Sequence, residues 1–252
     1  VIYQDISNFN NPSPAEQLPT LKKLKNLGLI DDYFLYQPKF SKFFTKKDAH
    51  KNEITKRNIA LKLSLKNGCS HFMSMDNDEF YKEDELLMVK NFMFNNPYYQ
   101  SSACQMQNYY KEPIYQMLQQ VSYYVSLINK ISKDSEFSLQ TQFPAKRFFD
   151  KKLFSFFKKN DYPKLSVDPT RRIKNAFSVK IFTRNEIEMH HMSFVRLDLS
   201  QKIANSSGKE LFKNIEDEII KNHKKFNLES DKEKLKTIRI VDNIFNIEIT
   251  DN

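Results

Sequence analysis

Tryptophan is absent from this sequence, and its 252 residues include only three glycines and two cysteines. Cys69 and Cys104 form no CxxC pair and lie in apolar runs, so we interpret both as small buried hydrophobic residues in a reducing compartment. No apolar run approaches the roughly 18 residues that a membrane-spanning helix requires, and no signal peptide is recognisable. We therefore expect a chain that does not cross a bilayer and has no disulfide.

Aromatic and basic residues are abundant. The sequence contains 22 Phe and 12 Tyr, and 40% of its residues are hydrophobic, which is enough for the core of one large domain. The formal net charge of +9 suits anionic partners such as sugar nucleotides, acidic membrane surfaces or nucleic acid. Charge alone does not choose among these partners.

Strand-like and helix-like segments alternate along the first 108 residues. Helices are predicted over 15–26, 47–66 and 83–95, with Gly28 and Gly68 ending the first two, and strands over 1–4, 32–36, 71–75 and 99–108. This alternation favours an α/β fold with a mostly parallel sheet covered by helices on both faces.

The rest of the chain has a less regular pattern. The segment 110–161 shows no clear period. Beyond it, the pattern predicts one or two strands over 180–196, an amphipathic helix over 211–226, and a terminal hairpin formed by 237–241 and 245–249 and turned at Asp242-Asn243.

The acidic run Asp76-Asn77-Asp78 follows the third predicted strand. Two carboxylates separated by one residue at a strand end can turn toward a single point, and Mg2+ and Mn2+ prefer such oxygen ligands. Ligands of α/β sheets bind at this end of the strands. The alternative is a polar turn in which the spacing is incidental. A calcium loop of the EF-hand type is excluded, because Phe80 and Tyr81 occupy positions where that loop needs an oxygen ligand and Gly.

Three segments of the N-terminal half follow one another in a distinctive order: Lys56-Arg57-Asn58-Ile59-Ala60-Leu61, Lys66-Asn67-Gly68-Cys69 and Phe72-Met73-Ser74-Met75-Asp76-Asn77-Asp78-Glu79-Phe80. Together they resemble the family 2 glycosyltransferases, which carry an Arg-Asn pair on a helix and then an acidic motif. The opening Val1-Ile2-Tyr3-Gln4-Asp5-Ile6-Ser7 is similar to the second strand of that family. The resemblance implies an A-type glycosyltransferase fold, a mixed and mostly parallel Rossmann-like sheet flanked by helices, with its first strand-helix unit upstream of residue 1.

The resemblance also implies a donor site for a nucleoside-diphosphate sugar. Asp76 and Asp78 would hold Mn2+ or Mg2+ at the diphosphate. The further donor-binding residues that it implies are Asp5, Arg57, Asn58 and Arg171 or Arg172. Guanidinium groups suit phosphate because they donate two parallel hydrogen bonds.

Two later segments, 167–172 and 188–196, resemble parts of bacterial surface-polysaccharide transferases. Many enzymes of this type take a late histidine as an additional metal ligand, which implies His190 or His191 here. Because neighbours on a strand point to opposite faces, only one of the two is expected to reach the ion. The alternative is a pair of half-buried strand histidines without a ligand role. Neither histidine belongs to a zinc-binding pattern.

The resemblance implies inversion at the anomeric carbon, and inversion in one displacement requires a carboxylate that accepts the proton of the acceptor hydroxyl. The Glu-Asp motif that usually supplies this base is not recognisable. Asp168 and Glu188 are therefore the candidate catalytic residues, with Asp168 favoured. An Asp before Pro-Thr is also a common residue at the start of a turn or helix.

By this interpretation residues 1–108 form the donor-binding half, and residues 109–252 form the acceptor-binding half and the C-terminal helix and hairpin of the same compact domain. The acceptor is expected to be a glycan or lipid-linked glycan, and the location cytoplasmic. The segment 147–159 interleaves six large apolar residues with five basic ones, which suits peripheral contact with the inner membrane face. Core packing of its Phe residues is the alternative.

Two other functions share parts of this evidence. A basic nucleic-acid-binding protein without catalytic activity would use the charge of +9 and the many aromatic residues for base stacking. No RNA-binding signature is recognisable, however, and the acidic run argues against nucleic acid. A phosphoryl-transfer enzyme or nuclease could use the same two aspartates, but such enzymes usually need more acidic ligands than this segment supplies.

Overall fold

The computed structural model describes residues 1–7, 12–13, 15–41, 46–118, 123–143, 166–174, 176–204, 216–226 and 237–249. The helices in these ranges are α1 (Gln17–Asn26), α2 (Lys46–Lys66), α3 (Glu83–Asn95), α4 (Ser200–Ala204) and α5 (Glu216–Lys224), with a 3-10 turn at Pro169–Arg171. The strands are β1 (Ile2–Tyr3), β2 (Phe34–Leu35), β3 (His71–Met73), β4 (Glu79–Phe80), β5 (Ser101–Tyr110), β6 (Glu112–Met117), β7 (Tyr123–Lys130), β8 (Ser166–Val167), β9 (Val179–Ile181), β10 (Glu188–Phe194) and β11 (Ile238–Ile240).

Glycine ends the first two helices, as predicted. Gly28 follows α1 with φ +70°, and Gly68 follows α2 with φ +78°. At α1 the next amide closes the last turn, because Leu29 N donates to Leu24 O at 3.0 Å. Residues with a Cβ are strained at such φ values, so glycine ends these helices at the lowest cost.

Strand β5 lies at the centre of a nine-stranded sheet. Its first residues pair with β9 on one side and β7 on the other, and its last residues pair with β10 and β6. The sheet continues from these neighbours: β7 pairs with β3 and β8, β10 with β4, and β6 with β11. Strands β1 and β2 form a separate parallel pair.

The structure is α/β, but the prediction of a mostly parallel sheet is wrong. Of the eight pairings in the large sheet, five are antiparallel and three are parallel among the described residues. The cause lies in the segment for which no period was found. Strands β6 and β7 follow β5 directly, and Lys111 alone, at φ +66°, separates β5 from β6. Such a short connection joins antiparallel strands, whereas parallel strands need a long crossover.

The predicted terminal hairpin is also wrong. Strand β11 pairs antiparallel with β6, in the register Ile238 to Met117 and Ile240 to Tyr115, and residues 245–249 form no strand. Asn246 has φ +49° and Phe245 packs its ring against His190. The apolar side chain of Phe245 therefore packs against the sheet without its segment forming a strand.

Helices cover both faces of the sheet, as the alternation of elements predicted. On one face Leu61 of α2 packs with Ala103 and Phe137, and on the other Val89 of α3 packs with Cys104. Ala103 and Cys104 are neighbours on β5, so their side chains point to opposite faces. Cys104 is fully buried, whereas the prediction of a buried Cys69 is wrong: Cys69 is exposed on the turn that follows α2.

The predicted donor and acceptor halves contribute strands to the same sheet. Strand β3 of the first half pairs with β7 of the second, and β4 pairs with β10. Within the described ranges, no helix combines the length and the apolar composition needed to cross a membrane. The segment 147–159 lies outside the described residues, as does the start of the helix predicted over 211–226.

Candidate functional site

The acidic run connects two strands on opposite sides of β5. Strand β3 lies beyond β7, and β4 lies beyond β10, so the chain crosses between them at Asp76, Asn77 and Asp78. The turn is closed locally, because Glu79 N donates to Asp76 O at 3.2 Å and Asp76 N donates to a Glu79 carboxylate oxygen at 3.1 Å. This crossing brings the run within reach of side chains from α2, the 3-10 turn and β10.

Two guanidinium groups converge on Asp76. Arg57 of α2 approaches its two carboxylate oxygens at 3.3 and 3.4 Å, and Arg171 of the 3-10 turn donates to it at 2.7 Å. Arg57 also donates to Ser74 and pairs with Glu53 at 2.9 Å. Burial would raise the pKa of Asp76, but the charges of Arg57 and Arg171 outweigh it and hold the pKa well below its usual range.

Arg171 is the most heavily paired cation of the site. It donates to both carboxylate oxygens of Glu79, at 2.9 Å for one of them, and its Nε lies 3.9 Å from Asp168 Oδ2. Both Arg171 and Glu79 are buried. Burial raises the pKa of Glu79 above its usual value, against the opposing charge of Arg171. Glu79 was not predicted as a site residue, although it directly follows the acidic run.

Asp78 has a separate set of basic neighbours. Lys202 of α4 donates to its Oδ2 at 2.9 Å, and His191 Nε2 lies 3.8 Å from its Oδ1. Burial would raise the pKa of Asp78, but Lys202 and His191 hold it below its usual value. Lys202 is 124 positions from Asp78 and belongs to no motif, so local sequence gave no signal for it.

The two histidines of β10 face different surroundings, as strand alternation predicted. His191 faces Asp78, and its Nδ1 lies 3.1 Å from Asn108 Oδ1. His190 is buried on the other side, where its Nδ1 lies 2.8 Å from the Tyr109 hydroxyl. His191 is therefore the one of the pair that lies beside the acidic run.

The two candidate bases occupy different places. Asp168 Oδ1 accepts from the amide of Thr170 at 2.7 Å and from its hydroxyl at 2.8 Å, which caps the 3-10 turn. Its Oδ2 faces Arg171 and remains beside the site. Glu188 instead forms an ion pair with Arg184, a residue that lines a cavity of about 350 Å³ with Gln105, Tyr124, Ile181, Phe182, Thr183 and Asn185. Only Asp168 contacts the residues around Asp76.

The other predicted donor-binding residues form contacts elsewhere. The Asn58 amide donates to Phe137 O at 3.0 Å and accepts from Phe137 N at 2.8 Å. Arg172 donates to Val167 O at 2.8 and 3.1 Å. Asp5 is exposed beyond β1 and lies 3.4 Å from the Gln37 amide. The structure thus brings together Arg57, Arg171, Asp76, Asp78 and His191, and gives Asn58 and Arg172 main-chain partners.

The acidic run does not fit a divalent ion in this arrangement. The Asp76 carboxylate lies between two guanidinium groups, and Asp78 is bound by Lys202. Among the described residues, no group of three or more His, Cys, Asp or Glu side chains is arranged to hold a metal ion. An ion here would have to displace Lys202 or lie next to Arg171, with Asp78 and His191 as its remaining ligands.

Comparisons of this chain with protein-family models, with curated proteins and with solved structures found no match.

Proposed function

We propose that this protein is a glycosyltransferase that moves a sugar from a nucleoside-diphosphate sugar to a hydroxyl acceptor. One observation carries the proposal: two buried guanidinium groups, from α2 and from the 3-10 turn, converge on the carboxylate that follows β3. The three residues come from different elements, and the resemblance to family 2 glycosyltransferases implies Arg57, Asp76 and one of Arg171 or Arg172 at the donor site.

The cations around the acidic run suit a diphosphate leaving group. As the bond between the sugar and the diphosphate breaks, negative charge develops on the diphosphate oxygens, and fixed cations lower the energy of that state. Arg57 and Arg171 hold their positions through carboxylates that already bind them. A site whose charges are set before the ligand arrives needs little reorganisation during the reaction.

Asp168 is the proposed base for the acceptor hydroxyl. Its Oδ1 is used in capping the turn, whereas Oδ2 has Arg171 Nε as its near neighbour at 3.9 Å and one third of the side chain is exposed. A proton acceptor must be reachable by the incoming hydroxyl, and this oxygen meets that requirement. Glu188 pairs instead with Arg184, which lines the separate cavity.

The proposal extends to the A-type fold, to inversion, and to an acceptor that is a glycan or lipid-linked glycan. In the proposed arrangement the β1–β2 pair lies on the nucleotide side, linked to α2 by the contact of Lys56 with Gln4 at 3.5 Å. The proposed location is the cytoplasm, with peripheral contact at the inner membrane face.

Calorimetric titration of the purified protein with nucleoside diphosphates and sugar nucleotides tests the proposal. We expect saturable binding of at least one nucleoside diphosphate, and no comparable binding of a single-stranded oligonucleotide. Asp168→Asn should retain donor binding but lower the transfer rate by about 10²- to 10⁴-fold, the range for loss of a general base. Glu188→Gln is the matched control and should retain the rate. Oligonucleotide binding without nucleotide binding would instead support a nucleic-acid-binding protein.

A further inference from the structure

We infer that this protein neutralises the donor diphosphate with its own cations, chiefly Arg196 and Lys202, and binds the donor without a divalent metal ion. The inference rests on the proposed function and concerns the same site. It departs from the metal-dependent donor binding that the resemblance to family 2 glycosyltransferases implies. Three observations carry it.

The first observation is that the carboxylates of the acidic run are already neutralised. Asp76 is bound by Arg57 and Arg171, and Asp78 by Lys202, all through contacts of 3.3 Å or less. A divalent cation is attracted by the negative charge of a carboxylate, and in this site the arginine and lysine side chains already balance that charge. An ion at Asp76 would also lie against two guanidinium groups and be repelled by both.

The second observation concerns the position of Arg196. Met192 N donates to Asp78 O at 2.8 Å, and Val195 N donates to Met192 O at 3.0 Å. The first bond extends the pairing of β10 with β4 to the acidic run, the second closes a turn at the end of β10, and Arg196 follows this turn. Burial lowers the pKa of Arg196, and the charge of Asp78 opposes that shift.

The third observation is that Arg196 lacks an acceptor. Within the described ranges its guanidinium forms no hydrogen bond or ion pair, and its Nε is shielded from water without a partner. Arg196 as a whole is only partly buried, so its other guanidinium nitrogens can reach a ligand, and an unpaired shielded Nε next to a candidate site favours an anionic ligand. Lys202 is paired with Asp78, but one third of its side chain is exposed, and its ammonium has further N–H donors that a bound anion can use.

The chemistry balances without a metal ion. The bond from the anomeric carbon to the β-phosphate oxygen breaks, and its electron pair stays on that oxygen as the nucleoside diphosphate leaves. The acceptor oxygen forms the new bond to the anomeric carbon, and its proton passes to Asp168. Arg196 and Lys202 stabilise the charge on the departing diphosphate by charge-assisted hydrogen bonds.

Titration of the tightest-binding nucleoside diphosphate, once in excess EDTA and once with Mn2+, tests the inference. We expect the dissociation constants under the two conditions to lie within about twofold of each other. Arg196→Met and Lys202→Met should each weaken nucleotide binding by about tenfold or more, as expected for a lost charge-assisted contact. Arg196→Lys should recover part of the affinity. Lys25→Met serves as the control. Lys25 lies on α1 and pairs with Asp32, so its loss removes one positive charge but should leave the nucleotide affinity unchanged. Circular dichroism confirms that each variant is folded.

Asp78→Asn distinguishes between two roles of Asp78, as a ligand of a divalent ion and as the partner that neutralises Lys202. If the aspartate neutralises Lys202, the amide frees that lysine, and binding in EDTA should stay equal or become tighter. Binding that requires Mn2+ and disappears in Asp78→Asn would overturn the inference and leave the proposed function standing. Absence of nucleotide binding under both conditions would overturn both.

Discussion

The guanidinium of Arg171 donates to both carboxylate oxygens of Glu79, and the two side chains are shielded from water together. Arg171 lies on the 3-10 turn and Glu79 at the start of β4, 92 positions apart. A buried pair of this kind contributes little net stability when it is complete, because both charges lose their hydration. Removing one partner, however, leaves the other as an uncompensated buried charge.

Arg171→Met is therefore expected to lower the free energy of unfolding by about 3–5 kcal/mol, the range for breaking a buried ion pair. Urea denaturation followed by circular dichroism measures the change. Arg171→Met combined with Glu79→Gln should regain part of the loss, because the stranded carboxylate is then neutral. A loss below about 1 kcal/mol in the single variant would show that Arg171 is not buried against Glu79 in solution.

Asn58 is predicted to act through Phe137 and not through the donor. Its amide holds both main-chain polar groups of Phe137, so Asn58→Ala should destabilise the fold by about 1–3 kcal/mol, the cost of leaving buried polar groups unpaired. Asn58→Asp keeps the acceptor for Phe137 N but turns a carboxylate oxygen toward Phe137 O, so it should also destabilise the fold. Thermal melts measure both variants, and nucleotide affinity of the folded fraction should stay constant. Weaker nucleotide binding with an unchanged melting temperature would instead show that Asn58 contributes to the donor site.

His190 gives the stability a defined pH dependence. Burial lowers its pKa to about 4, so between the usual value of 6.5 and about 4 the unfolded chain takes up a proton that the folded protein excludes. The stability due to neutral His190 is therefore present above pH 6.5 and is lost as the pH falls toward 4, by about 3 kcal/mol in all. His190→Gln should reduce the slope of this part of the curve of unfolding free energy against pH, and the other histidines whose pKa burial lowers, His71, His191 and His223, account for the slope that remains. His50→Gln on α2 serves as the control, and a slope that is the same in both variants would contradict the assignment.

Gly28 is predicted to matter for its backbone alone. Nothing lies within 4 Å of a Cβ added at this position, but its φ of +70° is strained for residues other than glycine. Gly28→Ala should cost about 1 kcal/mol, as expected for a left-handed helix end. Gly28→Asn should cost less, because asparagine tolerates this region. Equal melting temperatures for the parent and the alanine variant would show that α1 ends differently in solution.

Local features of the fold could be predicted from the sequence. The helix predicted over 83–95 has the observed bounds, and those predicted over 47–66 and 15–26 differ from α2 and α1 by one and two residues at their starts. Helices and their glycine ends can be predicted because they depend on residues that are close in sequence. The direction of strand pairing could not be predicted, because it depends on connections such as Lys111, where one residue with φ +66° reverses the chain.

The candidate site was predictable in the same partial way. Arg57, Asp76 and one of Arg171 or Arg172 were predicted because their residue types suit a diphosphate site, and the fold brings Arg57 and Arg171 into contact with Asp76. What each carboxylate binds could not be predicted, since Lys202 reaches Asp78 only through the path of the chain after β10 and into α4. Asn58 belonged to the same motif as Arg57, yet the turn of α2 directs its amide to Phe137.

The position of β5 has a consequence for how the chain folds and opens. Among the described residues, four strands pair with this one strand, and two of them, β9 and β10, come from 70 or more residues further along the chain. Closing loops of that length precedes the gain in pairing, so the late-formed contacts of β5 should make folding slow. In the folded protein, Ala103 pairs with β7 on one side and with β9 on the other, so we expect this part of β5 to open only when the sheet opens. Hydrogen exchange of Ala103 and Cys104 should therefore report the stability of the entire sheet.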